Sequence, residues 1–189
     1  MSGVFDFDAV VKVPFGGVGI RTLDGVISEA VYLPASIKPR AGKTPLAREA
    51  ARQIKRYFKD ASHRFDLPLA DKGSEFQRRV WDVICAIPPG KTLSYGDVAR
   101  RIRSAPRAVG QACGANWFSL LIPCHRVLAA DGIGGFGSGD GGFHMNVKRW
   151  LLVYEGVPGY GMPGLKRDVT SRVKPGVTPD AASAATSRA

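Results

Sequence analysis

Cys124, His125 and Arg126 stand side by side in "LLIPCHRVL", an otherwise apolar run. Imidazole and guanidinium groups are seldom buried without partners, so the run needs an explanation. Two readings fit: a satisfied oddity of the core, or a reactive thiol. A thiol is mostly protonated near neutral pH, and only its thiolate is a good nucleophile. Arg126 and a protonated or hydrogen-bonded His125 would each stabilise negative sulfur. His125 could also act as base if a third group oriented its second ring nitrogen. Adjacent residues of a strand point to opposite faces, so a working pair requires a bend, and Pro123 allows one there. Spacing does not fix the orienting acid. Glu155 is a candidate because it falls in the last turn of a helix, where the macrodipole disfavours a carboxylate by some tenths of a kcal/mol. The alternative is a solvated helix-end residue. A lone buried cysteine, equally, is more often structural than nucleophilic. No Cys-x-x-Cys pair exists and His63 and His144 lack ligand-like spacing, so no metal is expected. A cysteine protease or other thiol hydrolase stays open, without a local signature to support it.

The elements that must position these residues are legible around them. "VGIRTLDGVISEAVYL" (18–33) alternates apolar and polar residues about Asp24-Gly25, which predicts a hairpin with a tight primed turn. Thr44 and Pro45 have the order of a helix cap and first helical residue. Leu46, Ala50, Ile54 and Tyr57 then share one face. A second unit opens at "SEFQRRVWDVICAIPPG" (74–90). Ser74 and Gln77 have capping-box spacing, Phe76, Val80, Val83, Ile84 and Ile87 recur at helical spacing, and Pro88-Pro89-Gly90 stops the helix. Cys85 inside it reads as an inert core thiol. "SYGDVARRI" (94–102) and "PRAVGQACGAN" (106–116) are two short helices joined by a tight turn, the outline of a helix-turn-helix. On the second of them Val109, Ala112 and Cys113 point one way, and Arg107, Gly110, Gln111 and Gly114 the other. Each glycine costs a helix up to about 1 kcal/mol relative to alanine. Close approach to another surface would justify that, whether a DNA backbone or a packed neighbouring helix. The Gly-rich "DGIGGFGSGDGGF" (131–143) is a loop without the lysine of a phosphate cradle. "MNVKRWLLVYEG" (145–156) is a final helix with Val147, Trp150, Leu151 and Tyr154 inward and Gly156 as its stop.

These elements predict an α+β protein. Residues 1–70 form a small sheet-plus-helix domain, residues 71–157 a mainly helical domain with the helix-turn-helix, and residues 158–189 a disordered tail rich in small and polar residues. The 27 Lys and Arg against 16 Asp and Glu give a net charge of +11, which favours a polyanion such as nucleic acid over a merely soluble basic surface. No stretch reads as a signal peptide or membrane span. The three cysteines, an odd number, make no disulfide framework, so a cytoplasmic setting is expected.

"FQRRVWDVICAIPPGKTLSYGDVA", "RAVGQACGAN", "IPCHRV" and "KRWLLVYEG" closely resemble, in the same order, the motifs of the methylated-DNA–protein-cysteine methyltransferases, the O6-alkylguanine-DNA alkyltransferases. "PFGGVGI", the helix from Thr44 and "FDLPL" look like that family's N-terminal half, so the match runs from about Pro14 to Gly156. The resemblance implies direct repair of double-stranded DNA, nucleoid-associated in a bacterium. A monomer flips an O6-alkylguanine out of the stack and moves the alkyl group irreversibly to its own cysteine, with O4-methylthymine a weaker substrate. It implies neither metal nor other cofactor. By matching position, Cys124 is the nucleophile, His125 the base acting through a water, Glu155 the acid orienting it, and Asn116 the organiser of the turn. Tyr95 donates to the flipped base or presses on the phosphate backbone, and Arg107 enters the duplex in place of the nucleotide. Gly110, Gln111 and Gly114 let the recognition helix press close in the minor groove. Val127, Phe136 and Ser138 line the alkyl pocket. The chain departs from the pattern in the loop after Phe136, which is several residues longer than usual. It also lacks any cysteine before Cys85, so the zinc of some relatives is not expected, nor is a second acceptor domain before Pro14.

Overall fold

The computed structural model describes residues 6–135 and 142–160. It opens with a three-stranded antiparallel sheet in the order β1 (Ala9–Val13), β2 (Gly16–Leu23), β3 (Val26–Leu33). The Asp-Gly signal holds: Asp24 and Gly25 both take positive φ, 48° and 79°, and close the β2–β3 hairpin. Sequence periodicity gave no sign of β1. Only Lys12 in it is exposed, because the strand is covered on both faces, by the main core and by a small cluster of Phe7, Val10 and Leu33, so it shows no alternation.

Helix α1 (Pro45–Tyr57) starts as its sequence predicts, with Thr44 Oγ1 accepting from Ala47 N at 3.0 Å and Pro45 in the first turn. Its buried face, Ala47, Ala50, Ile54 and Tyr57, packs on the sheet. Helix α2 (Glu75–Cys85) carries both bonds of the Ser74–Gln77 capping box. Trp81 Nε1 donates to Ala112 O at 2.9 Å and so pins it to α4 (Pro106–Gly114). Cys85 is not a core residue: it ends α2 on the exposed side, since Val80, Trp81 and Ile84 take the buried face. Helix α3 (Tyr95–Ile102) has its own capping box from Ser94 and Asp97 and turns into α4 through Arg103, which holds a left-handed φ of 56°. Just before α3, β4 (Leu93–Ser94) pairs in parallel with β5 (Val127–Leu128), which lays the start of the helix-turn-helix beside the "PCHRV" segment. Helix α5 (Phe143–Tyr154) is the last element of the described residues and stops at Gly156, φ 79°.

The architecture is α+β, as the sequence predicts. One continuous hydrophobic cluster, from Val11 and Ile20 in the sheet to Leu120 and Leu151 beyond the helix-turn-helix, serves both sequence units. The backbone reinforces it: Ala30 N donates to Trp117 O at 2.9 Å, and Ser119 N returns a bond to Ala30 O at 2.8 Å. No helix among the described residues is long and apolar enough to cross a membrane. Most of the tail, residues 161–189, lies outside the described residues.

Candidate active site

The residues around Cys124 are held by a turn that begins where α4 ends. Asn116 Oδ1 accepts from Phe118 N at 2.8 Å, and its Nδ2 donates to Ile122 O at 3.0 Å. The same Nδ2 lies 3.2 Å from Cys124 Sγ, so one side chain folds the turn and touches the sulfur. Within the turn Leu120 takes a left-handed φ of 73° while its side chain is buried. That conformation costs an L-residue roughly 1–2 kcal/mol, comparable to what burying a leucine returns.

Cys124–Arg126 is a single 3-10 turn, not a strand, and this supplies the bend that adjacent residues needed. It sends His125 and Arg126 together towards Glu155. Glu155 caps α5 and is 5% exposed, which removes the solvated-residue reading. Its Oε1 takes Tyr57 Oη at 2.6 Å, Arg126 Nη2 at 2.8 Å and His125 Nε2 at 2.9 Å, and its Oε2 takes Arg126 Nε at 2.9 Å. Gly90, ending the Pro-Pro-Gly stop, is so close that a Cβ there would stand 2.8 Å from Glu155 O, at a φ of 74° that already favours glycine. Arg126 gives its Nη1 to Ile87 O at 2.6 Å. The guanidinium is thus committed to Glu155 and Ile87, and the sequence expectation that it stabilises the sulfur is corrected.

The electrostatics follow. Burial alone would raise the Glu155 carboxyl, but His125 and Arg126 outweigh it and hold the group well below the usual carboxylate range. Burial pulls His125 below the ordinary imidazole value although Glu155 opposes the shift, so the ring is neutral near pH 7. A carboxylate can only accept, so the proton sits on Nε2 and Nδ1 carries the lone pair. Nδ1 is buried without a hydrogen-bond partner, which marks it as the free base of the site. The sulfur is not a resting thiolate: a hydrogen bond with Cys113 and burial push the Cys124 thiol well above its ordinary range, against the pull of Asn116.

Around the sulfur the structure adds groups that sequence reasoning did not assign. Lys148 is fully buried on α5, donating from Nζ to Val127 O at 2.8 Å and to Gly135 O at 3.1 Å. Burial lowers its ammonium to about 8 although Cys113 and Cys124 oppose this. Its signal in the sequence was a charge on the face of α5 that also carries Leu151 and Leu152. Tyr57 had read as core only, and Cys113 as packing beside Val109 and Ala112. Tyr95 Oη donates to the same Gly135 O at 3.0 Å, and burial keeps the phenol protonated. A cavity of about 520 Å³ opens between Tyr95, Arg107, Gln111, Cys113 and Gly135. Val127 does not line it: its side chain is fully buried beside Leu93, and only its carbonyl reaches the site through Lys148. Phe136 and Ser138 lie outside the described residues.

On α4 Arg107, Gln111 and Gly114 are exposed. Among the described residues a Cβ at Gly114 would meet nothing within 4 Å, and one at Gly110 only the Tyr95 ring at 4.0 Å. Among the described residues no neighbouring helix packs against these glycines, so the packed-helix explanation fails there. Among the described residues no group of three or more His, Cys, Asp or Glu could hold a metal ion.

Residues 75–157 match the family model described as the 6-O-methylguanine DNA methyltransferase DNA-binding domain. The chain is 41% identical over 111 residues to a methylated-DNA–protein-cysteine methyltransferase of Methanosarcina mazei, covering 57% of this chain and 67% of that protein. To the protein of the same name from Mycolicibacterium paratuberculosis it is 39% identical over 152 residues, covering 77% of this chain and 89% of that protein. Its fold is similar to the crystal structure of Mycobacterium tuberculosis OGT in complex with DNA, with TM-score 0.62 and 31% identity over 77% of this chain and 90% of that one.

Proposed function

Since the chain belongs to the methylated-DNA–protein-cysteine methyltransferase family, we propose a role for each residue of its site in the family's reaction. The protein binds DNA and repairs O6-alkylguanine by transferring the alkyl group to a cysteine of its own. Cys124 is that cysteine. The observation that carries this reading is the unpartnered, buried Nδ1 of a neutral His125 whose Nε2–H is fixed on Glu155.

His125 Nδ1 takes the Cys124 proton through a bridging water, giving a thiolate beside an imidazolium that Glu155 stabilises. Sulfur attacks the alkyl carbon, an S–C bond forms, and the C–O6 bond breaks with its electron pair leaving on guanine. The Tyr95 hydroxyl, held neutral by burial, turns from Gly135 O to meet that developing charge. Lys148, on the same carbonyl, is a nearby cation. Water does not cleave the thioether under mild conditions, so each molecule reacts once. The thiol is buried, and the base reaches it only when everted from the duplex into the cavity beside Tyr95. Flipping costs a few kcal/mol, least at a damaged pair. Arg107 occupies the gap, and the glycine face of α4 lies against the groove without reading sequence. O4-methylthymine, which presents an alkylated oxygen in a similar place, is a weaker substrate.

The test is the mass of the protein after incubation with a duplex containing one O6-methylguanine. One added methyl group, absent from Cys124→Ala, is the expected result. Lesion binding without a mass change would mean a damage sensor, and turnover beyond one equivalent would mean a different chemistry; either overturns the proposal.

A further inference from the structure

We propose that Tyr57, contributed by the N-terminal sheet-and-helix half, is a positioning residue for alkyl transfer, acting on His125 through the Oε1 atom of Glu155. The inference rests on the assignment of His125 as the base for Cys124. Glu155 Oε1 meets three donors at 2.6–2.9 Å, from Tyr57, Arg126 and His125, and the bond from Tyr57 is the shortest. A carboxylate oxygen offers about two lone-pair directions, so the three share it, and what one takes another lacks.

The hydroxyl is not there to fill space. The Tyr57 ring already packs edge-on or tilted against Phe58, Phe65 and Tyr154, contacts that a phenylalanine would keep. Only Oη reaches the site, from 98 residues away in sequence. A separate bond, Tyr154 Oη to Tyr57 O at 2.5 Å, also ties α5 to α1 without touching the carboxylate. Docking of the two helices and tuning of Glu155 are therefore carried by different hydroxyls. The other titratable or charged groups facing the His125–Glu155 pair are Arg126 on the same turn, Tyr32 from the sheet, and Lys148 and Tyr154 from α5. Lys148 gives its ammonium to Val127 O and Gly135 O, and Tyr154 its hydroxyl to Tyr57 O.

Donation from Tyr57 draws negative charge from Oε1 and moderates its pull on the Nε2–H. Without the hydroxyl Glu155 holds the imidazolium more tightly, so His125 gives up its proton at higher pH and is a base over a narrower range. The experiment is the single-turnover rate of methyl transfer from a saturating O6-methylguanine duplex, measured from pH 5.5 to 9. For Tyr57→Phe the acid limb should move to higher pH by roughly half to one unit, the size expected for loss of one hydrogen bond. Duplex affinity should stay within about twofold. Tyr154→Phe should lower thermal stability and leave the limb where it is. A limb unmoved in Tyr57→Phe, or moved equally in both variants, overturns the proposal. If Tyr57→Phe does not fold, 3-fluorotyrosine at position 57, a stronger donor of nearly the same shape, should move the limb to lower pH, and no movement overturns the proposal. Wild-type protein that takes no methyl group would instead refute the assignment of Cys124, so the two failures are distinguishable.

Discussion

Glu155 shows how one carboxylate sets the state of its neighbours. Its side chain is fully enclosed, bonded by two nitrogens of Arg126 and by His125 and Tyr57. Its folded pKa lies below the unfolded one, so the folded state gains stability from it above the ordinary carboxylate range and loses it as pH falls through the lowered value. His125 is depressed too, and its contribution is complete above the unfolded imidazole value, roughly 6.5, and declines as pH falls below it. Both groups therefore act in the same direction, and stability should start to fall near pH 6.5 and fall further in acid. Glu155→Gln leaves the Arg126 charge buried without compensation, a loss of about 3–5 kcal/mol when one partner of such a pair is removed. Chemical denaturation of both proteins between pH 3 and 8 checks this. The variant should be less stable at neutral pH, and its stability should vary less than wild type below the carboxylate range. A variant as stable as wild type would mean that the pair is relaxed in solution.

At the level of the element, α4 carries the face proposed to meet DNA. Its buried side, Val109 and Ala112, is small and carries Trp81 against Ala112 O. Its other side carries Gly110 and Gly114, against which the described residues pack almost nothing. Gly114→Ala should stabilise the free protein by up to about 1 kcal/mol, because alanine is the better helix former and the Cβ meets none of the described residues. The same substitution should weaken binding to a DNA duplex, since the added methyl group stands where the groove must approach. Thermal melting and duplex titration together decide the matter. Stabilisation with unchanged affinity would show that this face does not touch DNA.

For the whole molecule, the sheet and the helix-turn-helix half are joined by a shared core, by the Ala30 bonds to Trp117 and Ser119, and by the Tyr154 hydroxyl on Tyr57 O, while the Tyr57 hydroxyl reaches across to Glu155. An alkyl-accepting half cut away from its partner would expose apolar surface and lose a donor to Glu155. Urea unfolding followed by far-UV circular dichroism, which sees both halves, should therefore coincide with unfolding followed by the fluorescence of Trp81, Trp117 and Trp150, which lie in the second half. Two separated transitions would show independently stable units. The net charge of +11 acts at this scale as well, drawing the whole surface to phosphates without contributing to sequence choice.

The sequence by itself determined the local structure. The Asp24-Gly25 turn, the caps at Thr44, Ser74 and Ser94, the stop at Gly156 and the helix-turn-helix outline all rest on contacts within a few residues, which spacing can encode. Its motifs also carried the family resemblance and named Cys124, His125 and Glu155. What spacing could not encode was who meets whom across the fold. Arg126 was matched to the sulfur because it is adjacent, yet its fork binds Glu155, 29 residues away. Tyr57, Lys148 and Cys113 read as ordinary helix residues until packing put them around the same few atoms. Strand β1, covered on both faces, left no alternation to read. Tertiary structure decided these matters because burial and pairing depend on the three-dimensional meeting of distant segments, and a side chain's charge, partner and reactivity follow from its surroundings rather than from its neighbours in the chain.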